Sequence, residues 1–201
     1  MQRFSQKGQA DTVFEVLIAV ILLGFVLVAG AFAMSSLSNT KCSKSIDLAL
    51  SGLKQTIEKA STTTLISTDF LLDVPYCFGS NFVVAFGKLS DNAICSNYCP
   101  GSSGSCYLLK YMNNKDKVNP VRYLCVQISP VMSVNDSQSC NYSNSDYTIA
   151  ELTSNYTIGN TNISLGLGNA VLFKNGRYKI GSTNISSNTQ SPTLCIYKKV
   201  G

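Results

Sequence analysis

The chain has 201 residues, enough for one long helix and one compact domain. Its net charge of +5 is scattered, with no Lys/Arg run or basic-aromatic patch, which argues against a nucleic-acid partner. It has no histidine, which removes Ser-His and Cys-His nucleophile pairs from consideration.

The first eight residues, MQRFSQKG, carry Arg3 and Lys7 and no acid. They read as a leader, residues 1–8, that stays on the cytoplasmic side. Residues 16–34, VLIAVILLGFVLVAGAFAM, contain no charge and no amide. As a helix this run is about 28 Å long, close to the roughly 30 Å of bilayer hydrocarbon. The run exceeds the apolar core of about 7–15 residues in an ordinary secretory signal. Ala29–Gly30–Ala31 nevertheless imitates a signal cleavage site.

One helix is predicted over residues 9–62, apolar at 13–34 and amphipathic at 35–60. Asp11 or Thr12 is expected to cap it, and Asp11 and Glu15 to complement its dipole. Neighbouring apolar packing makes Gly24 and Gly30 tolerable. Ala29 and Ala33, with Gly30 beside them, form a small face that another helix can approach closely. Ile46, Leu50, Leu53 and Ile57 recur at helical spacing as a narrow stripe, predicted to pack on the following domain. Residues 61–64, Ser-Thr-Thr-Thr, break the helix.

Beyond it the composition turns to Ser, Thr, Asn and Tyr, which suits extracellular β-structure. A β-rich head is predicted over residues 65–201, with strands at 65–74, 82–86, 106–112, 121–128, 163–173, 177–181 and 194–200. Asn175–Gly176 reads as a type I′ hairpin turn. Residues 96–105 read as a loop stapled by disulfides, and 133–145 and 182–191 as exposed loops. The fold class is therefore α+β: a long apolar helix followed by an antiparallel sandwich or barrel.

The eight cysteines, Cys42, Cys77, Cys95, Cys99, Cys106, Cys125, Cys140 and Cys195, all follow the apolar run. An even set on one side of a membrane-length segment points to disulfides formed outside the cell. Lys41 and Lys44 blur the charge signal for orientation, and the cysteines decide it with the N-terminus inside. Four bridges allow 105 connectivities, all left open. The absence of histidine and of any CxxC spacing disfavours zinc, so neither metal nor cofactor is expected.

Five sequons occur, at Asn135, Asn141, Asn155, Asn162 and Asn184, clustered in expected loops. Tyr107, Tyr111, Tyr123, Tyr178 and Tyr197 read as strand-face packing. Asp69 and Asp73 share a strand face toward solvent rather than forming an acid/base pair. Gly166-x-Gly168 lacks the third glycine and the helix of a phosphate-binding loop. No enzyme is indicated.

A basic leader ending in Lys7–Gly8, then Gln9, then an acid just ahead of a long apolar helix, resembles the class III signal peptides of archaeal type IV pilin-like proteins. The resemblance covers the first quarter of the chain, including the helix start Phe14–Glu15–Val16–Leu17–Ile18. It implies cleavage by a membrane prepilin peptidase between Gly8 and Gln9. The family's glutamate matches Glu15, two residues later than usual relative to Gln9. Cutting between Ala10 and Asp11 restores that spacing, so both bonds stay open. The resemblance implies insertion in the membrane as a precursor, then assembly with an ATPase and platform into a helical homopolymer at the cell surface. Glu15, Gly24, Ala29, Gly30 and Ala33 are the expected assembly residues. A bitopic surface-binding protein or a minor tip adhesin is the alternative, and an anchored extracellular enzyme the least favoured.

Overall fold

The computed structural model describes residues 7–62, 67–75, 82–102, 104–113, 122–129, 131–136, 139–140, 145–158, 161–183 and 192–201. Of residues 7–13, 156–158 and 161–164 it describes the backbone alone. The chain divides into two compact units, 1–44 and 45–201.

Helix α1 runs over Lys7–Thr62. It already includes Lys7, so Asp11 is not its cap and no acid lies in its first turn. At the far end, Ser61 and Thr62 donate their hydroxyls to the Glu58 carbonyl and stop the helix where the sequence places its break. The stripe behaves as its spacing predicts. Ile46, Leu50, Leu53 and Ile57 are fully buried within the second unit. Their helix is fixed there by polar contacts at both ends. Arg122 Nη1 meets Asp47 Oδ1 at 2.8 Å, and Glu58 Oε1 accepts from the Gln127 N–H at 2.7 Å.

Sheet B has the order β4-β3-β2-β10-β7. Its strands are β2 (Phe82–Leu89), β3 (Cys106–Asn113), β4 (Arg122–Val126), β7 (Leu152–Thr153) and β10 (Ala170–Phe173). Strand β2 lies between β3 and β10, and almost all of it is buried. One face carries Val83, Ala85 and Leu89, packed with Leu108, Met112, Leu165, Leu167 and the cysteines 95, 99 and 106. The other carries stacked pairs, Phe82 on Tyr111 and Phe86 on Tyr107. Gly87 lets β2 pass close to β10. A Cβ there would stand 3.0 Å from Ala170 Cβ, inside van der Waals contact.

Sheet A is built on β12 (Thr193–Lys199), with β11 (Gly176–Thr183) and then β1 (Thr68–Leu72) on one flank. The other flank is shared. β5 (Ser133–Val134) pairs parallel with Thr193 and Leu194, and β6 (Tyr147–Ile149) pairs antiparallel with Tyr197–Lys199. β8 (Asn155–Ile158) and β9 (Thr161–Ser164) form a separate two-stranded hairpin.

Three sequence expectations are corrected. The segment 163–173 is not one strand. Gly166, at φ +61, turns the chain between β9 and β10 and lets Leu165 and Leu167 fold onto the sheet B cluster. The segment 96–105 is not all loop. Asp91 accepts from the N–H groups of Ala93 and Ile94 and starts the short helix α2 (Asn92–Tyr98). Asn175–Gly176 does not close a hairpin, because β10 belongs to sheet B and β11 to sheet A. Gly176 alone of the two has positive φ, so a type I′ turn is ruled out.

This crossing is held by side chains that imitate backbone. Asn175 Oδ1 accepts from Val74 N at 2.7 Å and Nδ2 donates to Val74 O at 2.9 Å. The Tyr178 hydroxyl accepts from Lys174 N and donates to Lys174 O. Phe173 and Tyr178 meet across the corner at 4.8 Å between ring centroids.

Burial sets the pH dependence of this unit. It raises Tyr107 and Tyr178 above 10.0, though the Lys174 bond opposes part of the rise in Tyr178. Tyr123 is raised by burial and then by Tyr98. A phenol with a raised folded pKa contributes stability that is complete below pH 10 and lost as pH climbs through the folded value. Lys110 is lowered from 10.5 by burial and acts with the opposite sign, since its cost disappears as pH rises to 10.5. Above pH 10.5 the lysine's effect is complete and the raised phenols alone still titrate, so stability falls there. In an absorbance titration, Tyr107 and Tyr178 are expected to ionise only as the folded signal disappears. Reversible ionisation of all ten tyrosines in an intact fold would contradict this.

Candidate functional site: an uncovered apolar helix

Every residue of α1 from Phe14 to Lys41 is exposed in the single chain. A helix this apolar all round normally sits inside a core or a bilayer. Here large side chains stand in the open, with Phe25 and Phe32 each 75% exposed. Fifteen large apolar side chains between Phe14 and Leu37 are uncovered. At about 1.5–3 kcal/mol each on burial, covering the segment releases tens of kcal/mol. The segment is long and apolar enough to cross a membrane.

Helix geometry sorts the expected assembly residues. Ala29, Gly30 and Ala33 span about 100° of the circumference, so they share one face. Glu15 precedes Ala33 by 18 residues, about five turns, and lies in line with it. Gly24 lies about 180° from Ala33, so the helix does not place it on that face. Among the described residues, a Cβ at Gly24 or Gly30 meets nothing within 4 Å. The two candidate scissile bonds, Gly8–Gln9 and Ala10–Asp11, both fall within α1. A peptidase acting on either must first open the helix there.

The cysteines pair as Cys95–Cys106, Cys99–Cys125 and Cys140–Cys195. Cys42 is also disulfide-bonded, and Cys77 lies outside the described residues. The first two bridges tie α2 and the loop after it to β3 and β4. The third closes 55 residues onto β12, a constraint of about 4 kcal/mol in the chain-entropy account.

The sequons separate by environment. Asn155 is exposed on β8, and Asn162 lies opposite Thr157 on β9. Asn141 and Asn184 lie outside the described residues. Asn135 is a correction to both the glycan reading and the exposed-loop reading of 133–145. It is buried with φ +49. Its Nδ2 donates to Ala150 O at 2.6 Å, and its Oδ1 accepts from Ile196 N at 2.6 Å. Its own N–H donates to Leu194 O. Asn135 thus joins the end of β5 to the residue after β6 along the edge of β12. A sugar on Nδ2 has no room in this fold. In the other loop, Ser182 is buried and Thr183 still belongs to β11, while 184–191 lies outside the described residues.

Of the tyrosines, Tyr107, Tyr111, Tyr178 and Tyr197 are buried and Tyr123 half-buried, as strand-face packing requires. Asp69 and Asp73 are both exposed. Sequence reasoning missed Lys110, a buried lysine whose Nζ donates to Leu165 O at 2.7 Å and lies 5.3 Å from the Tyr123 ring centroid. Its alternation with Leu108 and Met112 on β3 was the available signal.

Fold and helix together define a class: a disulfide-bonded, β-rich domain carried on a long N-terminal helix of membrane-crossing length. No protein-family model, curated protein or solved structure matches the chain.

Proposed function

We propose that this chain is a structural subunit of an archaeal type IV pilus-like surface filament, serving adhesion, cell contact or motility. The uncovered segment from Phe14 to Lys41, beside a unit with its own core, is the observation that carries this reading. Such a segment demands a lasting cover. Lipid covers it before assembly, and copies of the same helix cover it afterwards. The shared face of Ala29, Gly30 and Ala33 favours close helix packing. Glu15 favours a partner with a positive charge, because a carboxylate among apolar helices is costly without one. Repetition of one heterologous contact along a screw axis gives an open polymer.

In this reading the leader is removed after Gly8 or Ala10, and the second unit forms the outer sheath. The two five-stranded sheets are its two layers, a sandwich joined at the Asn175–Tyr178 corner. Asn155 is its best-placed glycan acceptor.

Membrane length equally suits a bitopic surface-binding protein whose helix stays in lipid. Electron microscopy of sheared surface filaments, with N-terminal peptide mapping of the same sample, separates the two. The filament reading expects this chain to dominate the sheared fraction with its leader absent. Recovery only as detergent-extracted monomers overturns it.

A further inference from the structure

We propose that the second unit binds a neutral sugar residue in the cleft between the loop after α2 and the end of β4. This inference needs only the folded domain and is independent of the filament reading. The cleft has a volume of about 360 Å³, within the roughly 300–1,000 Å³ of small-ligand sites. Its walls are the loop from Cys99 to Ser102, the entry to β3 at Ser105–Tyr107, and residues 125–128.

Those three segments are held in place. Cys95–Cys106 ties α2 to β3, and Cys99–Cys125 ties the loop to β4. The Glu58 carboxylate fixes the third segment through the Gln127 N–H, with Lys54 at 3.7 Å from the same oxygen. The Tyr107 hydroxyl donates to the Met132 carbonyl. The cleft therefore exists before any ligand arrives, and binding pays little ordering entropy.

The lining selects the ligand. Among the described residues, no charged side chain lines the cleft. An ionic ligand would lose hydration there and gain no counter-charge. Pro100, Ile128 and the Cys99–Cys125 bridge offer apolar surface, while Ser102, Ser105 and Gln127 offer hydroxyls and an amide. Ser102 Oγ donates to Cys99 O at 2.8 Å, which leaves its lone pairs to accept. Gln127 is exposed, and its side-chain amide both donates and accepts. A purely apolar ligand would use neither the free lone pairs of Ser102 nor the Gln127 amide. A pyranose has an apolar C–H face and a rim of hydroxyls, and so satisfies both kinds of wall.

Saturation-transfer NMR on the full chain in zwitterionic micelles tests this, with glucose, galactose, mannose and N-acetylglucosamine as probes and glucuronate as the charged control. Transfer to at least one neutral sugar is expected, with glucuronate silent. Ser105→Trp, which fills the cleft, should abolish it. Gln127→Ala, a change at an exposed side chain that leaves the backbone bond to Glu58 in place, should weaken it at least tenfold. Silence with all four sugars overturns the proposal. So does equal transfer in wild type and Gln127→Ala, or a stronger response to glucuronate.

Discussion

Replacing Glu15 with alanine should leave the β-rich unit folded and the surface filaments missing. Glu15 is exposed and belongs to the first unit, while the buried core belongs to residues 45–201, so thermal melting of that core should not move. Assembly should. Under the filament reading, the carboxylate meets the α-amine that cleavage creates at Gln9 or Asp11 of a neighbouring copy. Removing one member of such a pair leaves the other charge stranded among apolar helices, at about 3–5 kcal/mol. At about 1.4 kcal/mol per tenfold, a loss of at least a hundredfold in sheared filament is expected. Glu15→Gln should also fail, because it keeps the shape and removes the charge. Filaments of either variant in wild-type amounts would end this role for Glu15.

The second large effect falls on Asn135. Asn135→Ala should destabilise the β-rich unit by at least about 3 kcal/mol. It strands the Ala150 carbonyl and the Ile196 N–H, at about 1–3 kcal/mol for each buried group. It also forces alanine into the left-handed region, at about 1–2 kcal/mol. Asn135→Gly relieves the second cost and should be the milder change by about 1 kcal/mol. Denaturant unfolding of both variants gives the comparison. Peptide mapping of native protein supplies a separate check, with sugar expected on Asn155 and none on Asn135. A glycosylated Asn135 in folded protein, or an alanine variant of wild-type stability, contradicts the assignment.

Asn135 also marks the boundary of what can be read from one chain. The motif Asn-Asp-Ser at 135–137 and the motif Asn-Tyr-Thr at 155–157 look alike as sequons. Nothing local distinguishes them, because Asn135 is bonded to segments 15 and 61 residues away in the chain. Asn175–Gly176 fails for the same reason. The dipeptide signals a reversal, yet whether two strands pair depends on which sheet has room for the second. Gly176 joins β1 through its partner Leu72, and that pairing outweighs the local preference for a hairpin.

The long helix, its apolar and amphipathic halves and its end near Ser61 are properties of neighbours three and four residues apart, and the sequence alone determined them. The same holds for the cysteine count, which carried the expectation of disulfides without their pairing. The two-sheet arrangement, the bridges from Cys95, Cys99 and Cys140, the burial of Lys110 and Asn135, and the cleft beside β4 were decided only in three dimensions. Each depends on which distant segments meet, and loop closure and side-chain packing settle that together.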